Sequence, residues 1–180
     1  MRLQRLSIGF TLVEAAIAVA IAAITLATAA PSFGSFIETR RLNGVAAQLA
    51  TDIQFIRSEA VLRNSALRLS LHEDSTGSCY VLHSGLAKQC SCAGNGPARC
   101  SGDAREIKTV VLPARDHIRV QGNVASILFD PLHGTSTPAG TLKVVADGGR
   151  AVHHVVNIMG RVRSCSPAGA APAVAGYRVC

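Results

Sequence analysis

The sequence predicts an α+β fold, in which one long N-terminal helix packs on an antiparallel β domain, a sheet or a sandwich. Two patterns carry this prediction. Apolar residues run without a charge over 15–37, and over 42–60 they recur every three or four positions, which is the spacing of one helix face. From Leu67 onward apolar and polar residues alternate, which is the period of a half-buried strand. The 180 residues leave length for a single globular domain beyond the apolar segment.

The apolar segment is long enough to cross a membrane once. It covers 23 residues, and at about 1.5 Å of rise per residue such a helix crosses a hydrocarbon core of roughly 30 Å. A secretory signal peptide is the competing interpretation, because residues 27–29 offer a small-residue cleavage site. Glu14 argues against it, since an acid stands at the start of the segment and apolar character continues to Phe36. A carboxylate in this position is costly when unpaired, so we expect Glu14 to have a partner and a function.

The helix is predicted to run over residues 10–63, apolar on all sides in its first half and two-faced in its second. Asn64 marks its end. Seven strands are predicted to follow, each bounded by Gly, Pro, Asn or Asp. They cover residues 67–71, 79–83, 107–112, 117–120, 126–129, 141–146 and 151–159, with turn-rich connections at 84–103 and 131–140.

Positive charge is concentrated at the C-terminal end. The whole chain has a formal net charge of +7, and no acid follows Asp147. The basic residues beyond that point are Arg150, Arg161, Arg163 and Arg178. An acid-free basic segment indicates a polyanion or an acidic protein as partner, and the alternative is a solvated surface that is merely basic.

Six cysteines form an even set, for which disulfides are the default in an exported chain. Sequence alone does not choose among the 15 possible pairings. One pair is favoured, Cys165 with Cys180, because it closes a tail rich in Ala, Pro and Gly that has little apolar bulk to pack. In the chain-entropy model such a bridge contributes roughly 3 kcal/mol. The other four, Cys79, Cys90, Cys92 and Cys100, would then form disulfides that fasten residues 79–100. A zinc site is the alternative for Cys90, Cys92 and Cys100, but their spacing is not that of a zinc ribbon.

Catalytic signals are weak in this sequence. His153 and His154 are adjacent on a predicted strand, so their side chains point to opposite faces and cannot readily hold one metal ion. The sequence has no nucleophile elbow, no H-E-x-x-H helix and no phosphate-binding glycine loop. We therefore expect no enzymatic activity, no metal and no cofactor.

Residues 9–14 read Gly-Phe-Thr-Leu-Val-Glu and follow a short basic leader. This arrangement resembles the class III signal of type IV pilins and type II secretion pseudopilins. The resemblance implies that a prepilin peptidase cuts after Gly9 and methylates the new N-terminal residue, Phe10. It also implies that Glu14 seats each subunit against the N-terminal amine of its neighbour. Pro31 fits as well, since pilin N-terminal helices commonly carry a proline that locally breaks the hydrogen-bond ladder.

The resemblance continues in the globular part. Residues 129–134 (Phe-Asp-Pro-Leu-His-Gly), followed by the strand at 141–145, are similar to the body of the FimT/GspH family of minor pilins and pseudopilins. Residues 160–163 (Gly-Arg-Val-Arg) look like the G-R-x-R element that DNA-binding FimT pilins carry near their C-terminus. The resemblance implies a type IV pilin-like fold and a flexible, disulfide-closed basic tail. The DNA-contacting residues it points to are Gly160, Arg161, Arg163 and Arg178, with Lys143 and Arg150 as further contacts.

The expected organisation has four segments. They are a leader at 1–9, a transmembrane and filament-core helix at 10–37, the rest of the helix with the β domain at 38–165, and a basic tail at 166–180. Before assembly the protein would lie in the inner membrane with its C-terminal domain in the periplasm, and afterwards it would join other pilins in an extracellular pilus.

The expected function is that of a minor type IV pilin which binds extracellular double-stranded DNA non-specifically during uptake for natural transformation. The alternative is a structural pseudopilin of a type II secretion system, or a pilus-priming minor pilin without DNA binding.

Overall fold

The structure is a computed structural model that describes residues 9–92, 96–169 and 171–180, with the side chains of residues 29–32 left aside. The predicted leader, apart from Gly9, therefore lies outside the described residues. Contacts divide the chain into two compact units, one ending at Ile37 and one formed by Glu38–Cys180. The α+β prediction is confirmed: one long helix precedes antiparallel sheets.

Helix α1 spans Leu12–Leu62, within two residues of the predicted bounds at each end. Thr11 caps its start: the Thr11 carbonyl accepts from the Ala15 N–H (3.1 Å), and its hydroxyl oxygen accepts from the Glu14 N–H (3.2 Å). At the other end Asn64 adopts φ +47°, the left-handed conformation common where helices stop.

The helical part of the first unit is apolar and exposed. Among the described residues, α1 is the one helix long and apolar enough to cross a membrane, with a mean hydropathy of 2.2 over its most apolar stretch. Thr25 and Thr28 donate their hydroxyls within the helix, to the carbonyls of Ala22 (2.9 Å) and Thr25 (3.0 Å). A helix surrounded by lipid has no water to bond its polar groups, so its hydroxyls must form hydrogen bonds within the helix, as these two do.

The second unit combines the last part of α1 with the strands. In chain order these are β1 Leu67–Asp74, β2 Gly77–Ser84, β3 Cys90–Ser91, β4 Arg99–Cys100, β5 Glu106–Pro113, β6 Ile118–Gly122, β7 Ser126–Phe129, β8 Ser136–Thr137, β9 Gly140–Ala146, β10 Ala151–Val156, β11 Val162–Ser166 and β12 Arg178–Val179. The first sheet has the order β5-β2-β1-β7-β8 and the second β12-β11-β10-β9-β6, while β3 pairs with β4. The described pairs are antiparallel except for β11 with β12, which is parallel.

One apolar stripe of α1 joins the two sheets into a single core. Both sheets contribute to the same cluster, with Phe129 from the first and Leu142 and Val152 from the second. Each fully buried side chain of this size contributes about 1.5–3 kcal/mol. The stripe consists of Leu42, Ala46, Leu49, Ile53, Ile56 and Ala60, all fully buried as their helical spacing predicts.

One acid of α1 is buried in this core. The Tyr80 hydroxyl donates to Asp52 Oδ2 (2.8 Å), and Lys108 Nζ lies 2.7 Å from Asp52 Oδ1. Burial, reinforced by the bond to Asp52, raises the pKa of Tyr80, so the phenol remains a donor. These two partners offset the cost of placing the carboxylate inside the protein.

The outer face of the first sheet is covered by residues 85–92 and 96–104, which we call the covering segment. Two disulfides fasten it, Cys79–Cys92 and Cys90–Cys100. Val81 packs beneath it against Cys90 and Ala104. The sequence left these pairings open and predicted a plain loop here, whereas the structure has the short β3–β4 pair.

The strand predicted at 151–159 was too long. It ends at Val156, and the chain turns through residues 157–160, where the Gly160 N–H donates to the Asn157 carbonyl (2.8 Å) and Gly160 adopts φ +70°. Ile158 and Met159 are apolar, as in a strand, yet both are exposed.

Candidate nucleic-acid interface

The outer face of the second sheet is open and basic. In β9 the residues Leu142, Val144 and Ala146 are buried, so Lys143 points the other way. In β10 the alternate residue His154 is buried, so its neighbour His153 shares the outward side with Lys143.

The strand register places two of the predicted cations in one row. His153 stands opposite Lys143 on one side and Cys165 on the other, and Cys165 stands opposite Arg178. Lys143 and Arg178 are three strands apart, which is about 14 Å at the usual spacing. Arg163 lies in the next row, opposite Val155, and is exposed.

Arg119 belongs to the same surface and was missed by sequence reasoning. It is exposed on β6 between the buried residues Ile118 and Val120, and it stands opposite Val145 of β9. The alternation in β6 was visible in the sequence, but the pairing of β6 with β9 was not.

We define the basic face as Arg119, Lys143, Arg163 and Arg178 with His153 among them. Among the described residues, no carboxylate occupies an outward-facing strand position of this sheet. An acid approaches at the β6 edge, where Glu73 of β1 accepts a hydrogen bond from Gln121 (3.0 Å). The face therefore presents predominantly positive charge.

Arg161 lies at one end of this surface, in the turn before β11. Its backbone N–H donates to Asn157 Oδ1 (2.9 Å) and its carbonyl accepts from the Asn157 N–H (3.1 Å). The side chain is exposed. The sequence argument placed Arg161 and Arg163 on one continuing strand, but β11 begins at Val162, between them.

Two residues predicted to contact DNA, Arg150 and Gly160, instead make contacts within the second unit. Arg150 is half-buried, and its guanidinium donates to the hydroxyl of Thr39 on α1. Gly160 is buried against another turn, where an added Cβ would lie 2.4 Å from the Gly134 carbonyl oxygen and 2.7 Å from Arg57 Nε. Arg57 Nε itself donates to that carbonyl (2.8 Å), so Gly160 permits a close approach of backbone to backbone.

The C-terminal tail is closed by Cys165–Cys180, which confirms the predicted bridge. The tail is also packed, contrary to the expectation of a flexible segment. Val174 is buried in the main core, its N–H donates to Ser166 Oγ (2.9 Å), and the Cys180 N–H donates to the Ser166 carbonyl (3.1 Å). These contacts hold Arg178 beside β11.

The residues predicted for processing and assembly lie in the first unit. Gly9 and Phe10 are exposed and precede α1, and Glu14 is in its first turn, where a negative charge is favourable toward the helix dipole. Pro31 lies within the helical range, but its side chain is outside the described part. Their roles in processing and assembly stay predictions.

The described residues contain no group of three His, Cys, Asp or Glu side chains placed to hold a metal. His154, on the inner side of the second sheet, has Nδ1 2.8 Å from Ser164 Oγ, and burial lowers its pKa to about 4. His153 and His154 thus point to opposite sides, as their adjacency in a strand predicted.

Comparison with known proteins agrees with this architecture. The family described as Type II transport protein GspH matches residues 45–160. The fold resembles the type IV minor pilin FimU of Pseudomonas aeruginosa, at 20% identity and a TM-score of 0.53, covering 76% of this chain and 99% of that one. It also resembles the minor pseudopilin EpsH of the Vibrio cholerae Type 2 Secretion System, at 12% identity and a TM-score of 0.50, covering 71% of this chain and 98% of that one.

A search of curated proteins found no match. The family match covers most of the chain, and the two structural likenesses concern the fold. The chain therefore belongs to the GspH family, and its fold is that of the minor pilins and pseudopilins it resembles.

Proposed function

We propose that this minor pilin binds double-stranded DNA through the basic face and contributes to DNA uptake in natural transformation. One observation carries the proposal: four exposed or half-exposed cations stand on a single open sheet face whose strand positions hold no carboxylate among the described residues. A duplex carries one negative charge per about 1.7 Å of axis, so such a face can meet several phosphates at once.

The dimensions of the face suit a duplex. Arg119 and Arg178 are on the two edge strands, four strand steps apart, which is about 19 Å. Arginine guanidinium groups form paired hydrogen bonds with phosphate oxygens, and Lys143 adds a point charge between them. Contacts of this kind position the backbone without reading bases, so the binding we propose is independent of sequence.

Stacking on single-stranded bases receives little support. Tyr177 is the aromatic residue of the tail, and it is half-buried against the main core. Proteins that bind single strands rely on exposed aromatic platforms. The basic face therefore favours duplex DNA.

Arg161 fits the proposal as an additional contact at the end of the face, whereas Arg150 and Gly160 fit it less well because they are engaged with α1 and with Gly134. One subunit offers few contacts, so its affinity would be modest. Several pilins along one filament would raise it through avidity.

The test uses the full-length chain in a non-ionic detergent and a short fluorescent duplex. The variant R163Q/R178Q removes two positive charges from the basic face, and R99Q/R105Q removes two from the region of the covering segment, where both arginines are exposed. We expect the first variant to bind about tenfold more weakly and to reduce the slope of log K against log salt by about two. The matched control should bind like the parent.

Equal binding by R163Q/R178Q and the parent would contradict the proposal, as would an affinity that ignores salt between about 50 and 200 mM. Equal losses in both variants would indicate only a general charge effect and would also count against a DNA site on this face.

A second candidate function is that of a structural pseudopilin in type II secretion, with the basic face contacting an acidic protein. The family description and the likeness to EpsH favour it. Complementing a deletion strain with the R163Q/R178Q variant separates the two. Lost DNA uptake with normal secretion supports the first function, and the reverse supports the second.

A further inference from the structure

His153 occupies the middle of the basic face. It stands directly opposite Lys143 on β9 and Cys165 on β11, and Arg178 follows one strand further in the same row. Its side chain is half-buried and lies on the outward side. A DNA backbone that contacts both Lys143 and Arg178 at successive phosphates passes over this ring.

We infer that His153 is a conditional DNA contact, which adds a positive charge to the centre of the basic face only when it is protonated and so strengthens DNA binding in mildly acidic medium. The inference rests on the proposed function, because it concerns the same surface. It goes further by naming a residue that makes affinity depend on pH.

The charged groups around the ring come from three strands. Lys143 faces it from β9, Arg163 lies diagonally on β11, and Arg178 is on β12. Cys180 places its disulfide Sγ 3.8 Å from Nδ1. Glu73 approaches only the β6 edge, through Gln121.

These surroundings disfavour the protonated ring in the absence of DNA. Partial burial, followed by the charge of Lys143, lowers the pKa of His153 below its ordinary value of 6.5. A bound phosphate reverses the second effect, because a negative charge favours the protonated ring. DNA binding and proton binding at His153 therefore reinforce each other, and affinity rises as the pH falls through the pKa that the ring has beside a bound phosphate.

The ring also has an atom available for a ligand. Among the described residues, its recorded hydrogen-bond contact is that of Nδ1 with Cys180 Sγ, and Nε2 has none. The protonated imidazole carries a donor on each nitrogen, so Nε2–H can serve a phosphate oxygen while Nδ1–H keeps its contact.

The other histidines of the second unit are placed differently. His117 contacts Asp147 (2.8 Å) before β6, His133 contacts Asp130 (3.4 Å) in the turn after β7, and His154 is buried. His72 and His83 lie on the first sheet, where they contact the carbonyls of Cys90 and Ser84. A change in affinity between pH 5.5 and 8 can therefore be assigned by substituting His153 alone.

The experiment measures the affinity of the full-length chain for a fluorescent duplex at pH 5.5 and pH 8, at one ionic strength. For the parent we expect about three- to tenfold tighter binding at pH 5.5, the gain from one added phosphate contact. H153N should lose most of this gain, so that its affinities at pH 5.5 and pH 8 differ little. H153K, which is charged at both values, should bind at pH 8 as tightly as the parent does at pH 5.5.

H133N serves as the control, since it removes a histidine from another part of the unit, and it should retain the parent's pH dependence. Circular dichroism at both pH values establishes that every variant is folded. The inference is overturned if H153N keeps the parent's pH dependence, or if H153K gains nothing at pH 8. Failure of the proposed function looks different, since the parent and R163Q/R178Q would then bind alike at pH 8.

Discussion

The outer faces of the two sheets differ in what lies upon them. On the first sheet, the covering segment and its two disulfides enclose Ser70 and His83, whose Oγ and Nε2 are 2.8 Å apart. On the second, Lys143, Arg163 and Arg178 face solvent. Strands of similar length thus build one closed surface and one open surface, and the open one carries the charge.

The difference between the two outer faces indicates where a ligand can reach functional side chains of the second unit. The Ser70–His83 pair has the residue types of a nucleophile and a base, but both are buried and satisfied beneath the covering segment. The cations of the basic face are exposed or half-exposed, so a polyanion reaches them without rearrangement of the backbone. Accessibility, more than residue type, separates the two faces.

The largest expected effect comes from opening the closed face. Replacing Cys79, Cys92, Cys90 and Cys100 with serine should lower the free energy of unfolding by about 3 kcal/mol per bridge. Urea unfolding measures the loss, and binding of a hydrophobic dye reports the uncovered sheet. The basic face holds none of these cysteines, so DNA affinity should persist where the variant is folded. Unchanged stability would contradict the role we assign to the bridges.

The second-largest expected effect is a loss of stability in acid, which is caused by His154, the histidine buried beneath the open face. Burial lowers the pKa of His154 to about 4, so the folded state disfavours its protonated form. In the unfolded chain the pKa of this histidine is about 6.5, so above that pH the buried neutral ring costs no stability. As the pH drops from 6.5 to 4, the unfolded chain takes up the proton first, and the free energy of unfolding falls by about 3 kcal/mol. Unfolding measured over this range should show a smaller acid loss for H154Q. H153Q, one residue away and half-exposed, is the matched control.

A smaller effect, on DNA affinity, should follow charge reversal at Arg119 and Lys143, which lie on the part of the basic face away from the tail. R119E/K143E should bind duplex DNA more than about tenfold more weakly at low salt, because two attractive contacts become repulsive. R99E/R105E provides the same charge change near the covering segment. Fluorescence titration compares the two, and a loss confined to R99E/R105E would place the site on the other sheet.

The smallest effect concerns the tail. C165S/C180S should weaken DNA binding about threefold, the value of one phosphate contact, because Arg178 is no longer held beside β11. Combining it with R178Q should add little, since both changes remove the same contact. Additive losses in titrations of the double and triple variants would show that the bridge acts on other residues.

Local pattern was sufficient for much of the fold. The spacing of Leu42, Leu49 and Ile56 predicted the buried side of α1, and the alternation that begins at Leu67 predicted the first strand. These patterns depend on neighbours within one element, which the sequence contains. The basic character of the tail was also predicted, because the sequence itself shows that no acid follows Asp147.

The remainder depended on contacts between distant residues. Arg119 joins the basic face only because β6 pairs with β9, which is a choice among many possible sheet orders. Ile158 and Met159 looked like strand residues, but the close approach of Gly160 to Gly134 fixes a turn there. The pairing of Cys90 with Cys100 follows from the β3–β4 register, which the spacing of cysteines did not specify.

The bridge between Cys165 and Cys180 also has a mechanical consequence. If DNA bound as we propose were pulled away from Arg178, the load would fall on β12, which has two residues and joins its sheet through only a short hydrogen-bonded ladder. The covalent link transfers a pull on Arg178 directly into β11, which is held along β10. Tension at the tail is therefore carried by the interior of the sheet, and the weakest strand is relieved of it.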